Sequence, residues 1–290
     1  MGNGIVERQN EDQYINYLGA QRQLYNEAKK SNTIVLLFSV ILPLVFAGIQ
    51  LIVNDNNQLN VASYTLSIIS MVISLCLSSC MKRKKELAAE IQQYFDTYVY
   101  QMPWDDKLFG RQRDVTHIVA EKSQKLFRKA GERDNLVNWY TAIVGTVDLN
   151  KGILMCQKEN YNWDVGLRKR FRFWSSIIIV SFVVLIFVIG IVKNELVTML
   201  LCRIAFVVPM LQWLLETIKQ LNEDIKNLEE LDELITPLGP RSMENLQEIQ
   251  SKIYVHRKSC FTIPNKFYEI YKNNDEDVSH RTALMDKQTD

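Results

Sequence analysis

Four long apolar runs constrain this chain more than anything else in it: Ile34–Val53, Val61–Met81, Trp174–Val192 and Leu196–Leu215. A helix needs about 20 apolar residues to cross the hydrocarbon core of a bilayer, and each run has that length. A buried helix of a soluble protein can also be apolar all round. Four such runs, joined in pairs by very short links, read instead as four crossings arranged as two hairpins. The composition, 47% hydrophobic and 23% charged, conceals the pattern because the apolar residues are segregated. The net charge of +1 gives no reason to expect direct binding of DNA or RNA.

Orientation follows from the basic residues that flank the runs, since Lys and Arg near span ends stay on the cytoplasmic side. Lys29 and Lys30 precede the first run, and Lys82, Arg83, Lys84 and Lys85 follow the second. Arg168, Lys169, Arg170 and Arg172 precede the third run, and Lys219 follows the fourth. The opposite links are nearly bare: Asn54–Asn60 has no Lys or Arg, and Lys193–Glu195 balances one Lys with one Glu. The expectation is a multi-pass, all-α membrane protein with both termini and the long middle segment in the cytoplasm. Its expected parts are an amino-terminal helix at 1–33, a hairpin at 34–81, a helical region at 82–173, a second hairpin at 174–215, helices at 216–272 and a disordered tail at 273–290.

Helical periodicity outside the runs supports this division. Apolar and aromatic residues at Tyr14, Tyr17, Leu18, Leu24, Tyr25 and Ala28 predict a helix leading into the first run. Leu87, Ile91, Tyr94, Phe95 and Tyr98 extend the second run as a helix that Pro103 stops. Further helices are predicted at about Gln112–Lys129, ended by Gly131, at Asn135–Tyr140, and from Lys151 into the third run. Leu211, Leu214, Ile218, Leu221, Ile225 and Leu228 alternate steps of three and four, the seam of a coiled coil. That stripe suits either self-association, giving a homo-oligomer, or packing on the chain's own cytoplasmic region. Ser242 can cap a final helix whose Leu246, Ile249 and Ile253 share a face.

Catalytic signatures are missing. The sequence holds no phosphate loop, no Gly-x-Ser-x-Gly and no His-Glu-x-x-His, and its three histidines, His117, His256 and His280, are scattered. Neither catalytic residues nor a metal site nor a bound cofactor is expected. A private carboxylate site would draw on Asp96, Asp105 and Asp164, although solvated or ion-paired roles suit these as well. The five cysteines show no disulfide or zinc spacing.

Two sets of residues could carry a binding or gating function. Arg203 is the one formal charge inside the four runs, and such a residue lines water, finds a carboxylate or meets backbone carbonyls. The serine stripe through Ser67, Ser70 and Ser74 suits close helix packing or a wetted face, and Pro209, like Pro43, can bend its helix. On the cytoplasmic side Arg111, Arg113, Arg128 and Arg133 lie close in sequence to Trp104, Trp139 and Tyr140. That mixture can grip phosphates and stack bases. It can equally meet anionic headgroups beside aromatic residues that fill a core.

Several segments carry a resemblance: ERQN at Glu7–Asn10, AQRQLYNEAKKSN at Ala20–Asn32, FDTYVYQMPW at Phe95–Trp104, NWY at Asn138–Tyr140, CQKENYNWDVGLRKRF at Cys156–Phe171, and the stretch Leu246–Lys272. Together, in order and over nearly the whole chain, they resemble the SMODS-associated four-transmembrane effector family of bacterial antiphage defence. The resemblance implies an effector of a cyclic-oligonucleotide signalling system (CBASS). A partner nucleotidyltransferase would make a cyclic di- or trinucleotide on infection, the cytoplasmic part would bind it, and the membrane part would compromise the inner membrane in an abortive response. Asn160, Trp163, Asp164 and Arg168 match the family's motif and are candidates for ligand contact; because they abut the third run, coupling of sensing to the membrane and simple capping of the bundle are equally open to them. A different class of function is a membrane-anchored scaffold that recruits a cytoplasmic partner without forming a pore.

Overall fold

A computed structural model of the chain describes residues 2–43, 45, 46, 49, 57–192, 197–236, 241–271, 281, 282 and 285. Side chains at several helical positions, among them Trp163 and residues 197–209, lie outside the description, and so do the roles expected of Trp163, Arg203 and Pro209. Most of the tail expected at 273–290 also falls outside it. Among the described residues the structure is helical, with no strand.

Three helices of unusual length organise the molecule. α1 (Ile5–Gln9) and α2 (Asp12–Leu36) come first, and α3 (Asn57–Val99) follows with 43 residues. After α4 (Asp106–Phe109) and α5 (Thr116–Phe127), α6 (Leu149–Val192) has 44 residues and α7 (Val197–Ile235) has 39. α8 (Met243–Ser259) closes the head. At 1.5 Å per residue α3 and α6 are each roughly 65 Å long, twice the thickness of a bilayer core. The helices predicted to run out of the second run and into the third are therefore continuous. One described segment, Tyr64–Val99, meets the length and hydropathy expected of a membrane-crossing helix, with a mean hydropathy of 1.8 over its most apolar window. The first and fourth runs include residues outside the description, and so do several side chains of the third.

Packing changes character along α3. Val61, Ile68, Met71 and Leu75 are 59–65% exposed, whereas Ala88, Ala89, Ile91, Phe95 and Val99 are buried. α6 repeats the change: Ile178, Val184, Ile191 and Val192 are exposed, while Ile153, Cys156 and Leu167 are buried. The buried halves, with α1, α2, α5 and α8, form a helical head. Its main core joins Ile5, Ile15 and Leu18 to Phe95, Tyr100, Tyr140, Ile153, Leu246 and Tyr254. The head thus draws on both ends of the chain as well as on 82–173.

Local sequence explains the joints. α2 packs on α5 through Gly19, where a Cβ would lie 2.6 Å from the Phe127 ring. Before Pro43 the chain forms a π-helical turn, Leu37–Ile41. Proline removes a backbone donor and crowds the carbonyl four residues earlier, and widening the preceding turn relieves the clash. The Ser70 hydroxyl donates to the Phe38 carbonyl of that turn at 2.6 Å, so at this position the serine stripe packs one helix on another. Ser67 and Ser74 are half-buried on the same helix.

α3 ends three residues before Met102, with Gln101 left-handed at φ 53°. Met102 N–H bonds the Thr97 carbonyl and Gln101 N–H bonds that of Tyr98, both pairings of a Schellman cap. Glycine usually fills that position; here a glutamine does. α5 stops at Phe127, and Gly131 lies beyond it in a following turn. The helix expected at Asn135–Tyr140 is instead a single 3-10 turn, Asp134–Leu136, followed by a second 3-10 turn at Ala142–Thr146. Leu136 and Tyr140 are both buried, and core contacts of this kind override a weak local periodicity.

α8 wedges between the three long helices. Ser242 caps it in a capping box with Asn245. Ile249 and Ile253 pack on Leu228, Leu231 and Ile235 of α7. Most of the heptad-like stripe of α7 is therefore covered by the chain itself: Leu214, Leu221, Ile225 and Leu228 are at most 4% exposed, while Leu211 and Ile218 are half-buried. Of the two roles open to that stripe, the structure displays packing on its own chain.

Candidate ligand-binding site

A cavity of about 460 Å³ opens between α1, α2 and the head half of α3. Tyr14 and Tyr17 of α2, Tyr94 and Tyr98 of α3, and Trp104 beyond it supply aromatic walls. Arg8, Thr97, Gln101 and Gln112 supply polar ones. The four tyrosines fall at steps of three and four on their helices, so each pair shares a face.

The rings are held in place. Tyr14 and Tyr98 stack with centroids 3.6 Å apart and planes 8° from parallel. Tyr94 and Trp104 stack at 4.7 Å and 14°. Asp105 caps α4 by accepting from Lys107 N–H at 2.7 Å. Trp104 Nε1 donates to the Gly110 carbonyl at 2.8 Å, which ties the indole to the α4 loop. Arg8 donates from Nε to the Val99 carbonyl at 2.8 Å and from Nη2 to that of Asn3 at 3.1 Å. Its hydrogen-bond partners are neutral carbonyls, and Glu7 and Glu11 are the acidic groups that act on its charge. Burial lowers its pKa, opposed by Tyr98, Glu7 and Glu11. Burial and the nearby Tyr98 push the Tyr14 phenol up to about 12, so it stays a neutral donor. Two stacked aromatic pairs, a cation and amide side chains form a surface suited to a planar base attached to phosphate.

Behind the cavity wall lies a buried polar network. Asp96, fully buried, accepts from Tyr140 at 2.7 Å, from Gln250 at 3.0 Å and from Arg257 at 2.5 Å. The Tyr100 hydroxyl donates to that of Tyr140 at 2.8 Å, and Asn160 Nδ2 donates to the same oxygen at 3.2 Å. Against burial, Asp96 and Tyr140 hold Arg257 above its ordinary pKa. A second network joins α6, α7 and α8. Arg168 donates to Asp164 at 2.9 Å, to Asp224 at 2.6 Å and to the Phe261 carbonyl at 3.1 Å, and His256 Nε2 lies 2.6 Å from Asp164. Burial would raise the Asp164 carboxyl, but Arg168 and His256 overcome it and hold the group well below the usual range.

The residues expected to bind a ligand are distributed over several places. Trp104 lines the cavity. Arg113 borders it: its N–H donates to the Tyr94 hydroxyl at 2.9 Å, while its guanidinium pairs with Glu90. Arg111 and Arg128 are exposed. Arg133 pairs with Asp12 at 2.7 Å and lies over the Phe127 ring. Trp139 packs on the main core, Tyr140 and Asn160 belong to the first network, and Asp164 and Arg168 to the second. The expected basic and aromatic residues do not form one face, because Glu90 and Asp12 neutralise two arginines and the core takes the Tyr140 ring. Asp96, Asp105 and Asp164 likewise serve a network, a helix cap and another network. Arg8, Tyr14, Tyr17, Tyr94, Tyr98, Gln101 and Gln112 come to the site without having been expected there. The signal for them was the recurrence of tyrosines at helical spacing on two separate helices.

Comparison with known proteins places these features in context. A family model described as the SMODS-associating 4TM effector domain matches residues 3–284. A protein of Bacillus cereus (strain VD146), described as a probable CBASS effector molecule, is 22% identical over 286 residues, 94% of this chain and 95% of that one. No solved structure matches.

Proposed function

Because the chain belongs to the SMODS-associating 4TM effector family, we propose that it is a CBASS effector whose head receives a cyclic oligonucleotide and whose apolar half then permeabilises the bacterial inner membrane. The four apolar runs cross the bilayer as two hairpins, and the head and both termini lie in the cytoplasm. The aromatic cavity carries this reading, because it is built on α2 and α3, which run directly toward the first two apolar runs. A base stacks against the half-buried rings of the Tyr94 and Tyr98 pairs, and Arg8 meets a phosphate.

Coupling needs no separate relay. A ligand shifts an equilibrium only by binding one arrangement more tightly than another. A nucleotide wedged against α2 and α3 favours one relative placement of those helices, and their stiffness carries the change to the apolar ends. Several copies assemble through the exposed apolar halves, since most of the seam on α7 is already covered.

Isothermal titration of the purified protein with cyclic di- and trinucleotides tests the site. Stacking on one aromatic ring is worth about 1–3 kcal/mol, so Tyr94→Ala should weaken the bound nucleotide roughly 5- to 150-fold. Absence of binding by every nucleotide in the panel, or equal binding by the variant, would contradict the assignment.

A further inference from the structure

The stretch 261–271 takes no part in the cavity. It leaves α8, passes Pro264 and forms a short helix at 265–271. Its rings pack on α6 where that helix turns from buried to exposed, and on Trp213 of α7. Phe261 stacks on Phe171 at 5.7 Å and meets Trp213 edge-on at 6.5 Å, and Phe267 meets Phe171 edge-on at 5.0 Å. The Tyr271 hydroxyl accepts from Trp174 Nε1 at 3.3 Å, and the Arg170 guanidinium lies 4.5 Å over the Tyr271 ring.

Trp174 is the first residue of the third apolar run. Tryptophan and tyrosine concentrate at the level of lipid headgroups, where one end of the ring is apolar and the other wet. The bond from Trp174 to Tyr271 therefore fixes the short helix at the depth where α6 enters its apolar half. Exposed apolar side chains are found at the same level: Phe173 at 60%, Trp174 at 48% and Ile270 at 72%. The surrounding charge is mostly positive. Lys29 donates to Asn265 at 2.6 Å, and Lys85 donates to the Ser259 and Cys260 carbonyls at 3.1 and 2.9 Å. Lys82, Arg83 and Lys266 are exposed, with Glu269 the acidic exception on the short helix.

We propose that the helix at 265–271 is an interfacial anchor that rests on an anionic bilayer. Ile270, Phe173 and Trp174 enter the headgroup boundary, and Lys266, Lys82 and Arg83 face lipid phosphates. The inference rests on the reading that the apolar half of α6 lies in the membrane. It ties α8, and through Gln250 and Arg257 the Asp96 network, to the membrane surface.

Power-saturation spin-label measurements on the full-length protein test it. The protein is placed in nanodiscs of phosphatidylethanolamine and phosphatidylglycerol, with Cys76, Cys80, Cys202 and Cys260 replaced by Ser. A nitroxide is attached in turn to Ile270→Cys, to Ile178→Cys in α6 and to Glu248→Cys on the exposed face of α8. The label at 270 should collide with oxygen several-fold more, relative to a nickel chelate, than the label at 248. Replacing phosphatidylglycerol by phosphatidylcholine should move it toward water. A label at 270 as wet as that at 248, while 178 is in lipid, overturns the anchor alone. A wet label at 178 overturns the membrane placement of α6 as well. If the serine background does not fold, Ile270→Trp in the native chain gives the same reading: brominated lipid should quench the added fluorescence, and its failure to do so overturns the anchor.

Discussion

The two halves of α3 obey opposite rules. In the first half apolar side chains such as Ile68 and Leu75 are more than 60% exposed, while in the second half Gln92, Gln93, Asp96 and Thr97 are buried. In water the first half would be costly, at about 25 cal/mol for every Å² of apolar surface left uncovered. The second half would be costly without partners, since a buried polar group left unbonded costs roughly 1–3 kcal/mol. One continuous helix satisfies both rules only if its ends lie in different surroundings. The head half is specified by hydrogen bonds, and the other half by the apolar medium proposed around it.

The largest effect should come from breaking the polar half. Asp96→Ala leaves Arg257 buried without its carboxylate, and losing one member of a buried pair costs about 3–5 kcal/mol. Thermal unfolding of the detergent-solubilised protein should show it as a sharp fall in Tm. Next comes Glu159, whose carboxyl burial pushes up to about 7, eased only by the Thr141 N–H. A folded pKa above the unfolded one means that stability falls as pH rises from about 4.5 to 7, and the full penalty remains above that. Glu159→Gln should therefore stabilise the head by about 2–3 kcal/mol at pH 8 and by almost nothing at pH 4. A gain that is the same at both pH values would contradict the shift.

Smaller changes sharpen the comparison. Ser242→Ala removes the cap of α8 and should cost about 1 kcal/mol, read from the same unfolding curves. In the apolar half, Ile68→Ser should alter the unfolding of the head by less than about 0.5 kcal/mol. It should instead reduce the fraction of protein recovered in membranes.

The two halves also differed in how far they could be read from sequence. Hydropathy alone marked the apolar runs, and the Pro103 break and the Ser242 cap each follow from a residue's local chemistry. The cavity could not be read that way, because Tyr14 and Tyr98 meet only once α2 and α3 pack, with more than 80 residues between them. Charge proximity in sequence misled for a related reason: Arg113 and Arg133 find their acids on α3 and α2, far along the chain. The stripe on α7 was legible as apolar, but periodicity does not say which surface covers it. Leu246, Ile249 and Ile253 were legible as one face for the same local reason that left their partners unnamed.

The central claim is that a ligand in the head controls what the apolar half does to a bilayer. Dye release from liposomes of phosphatidylethanolamine and phosphatidylglycerol, carrying the purified protein, measures this directly. Release should begin only when a cyclic oligonucleotide is added, and Tyr94→Ala should shift the response to higher nucleotide concentration. Release that proceeds equally without nucleotide, or that no cyclic di- or trinucleotide provokes, would contradict the account.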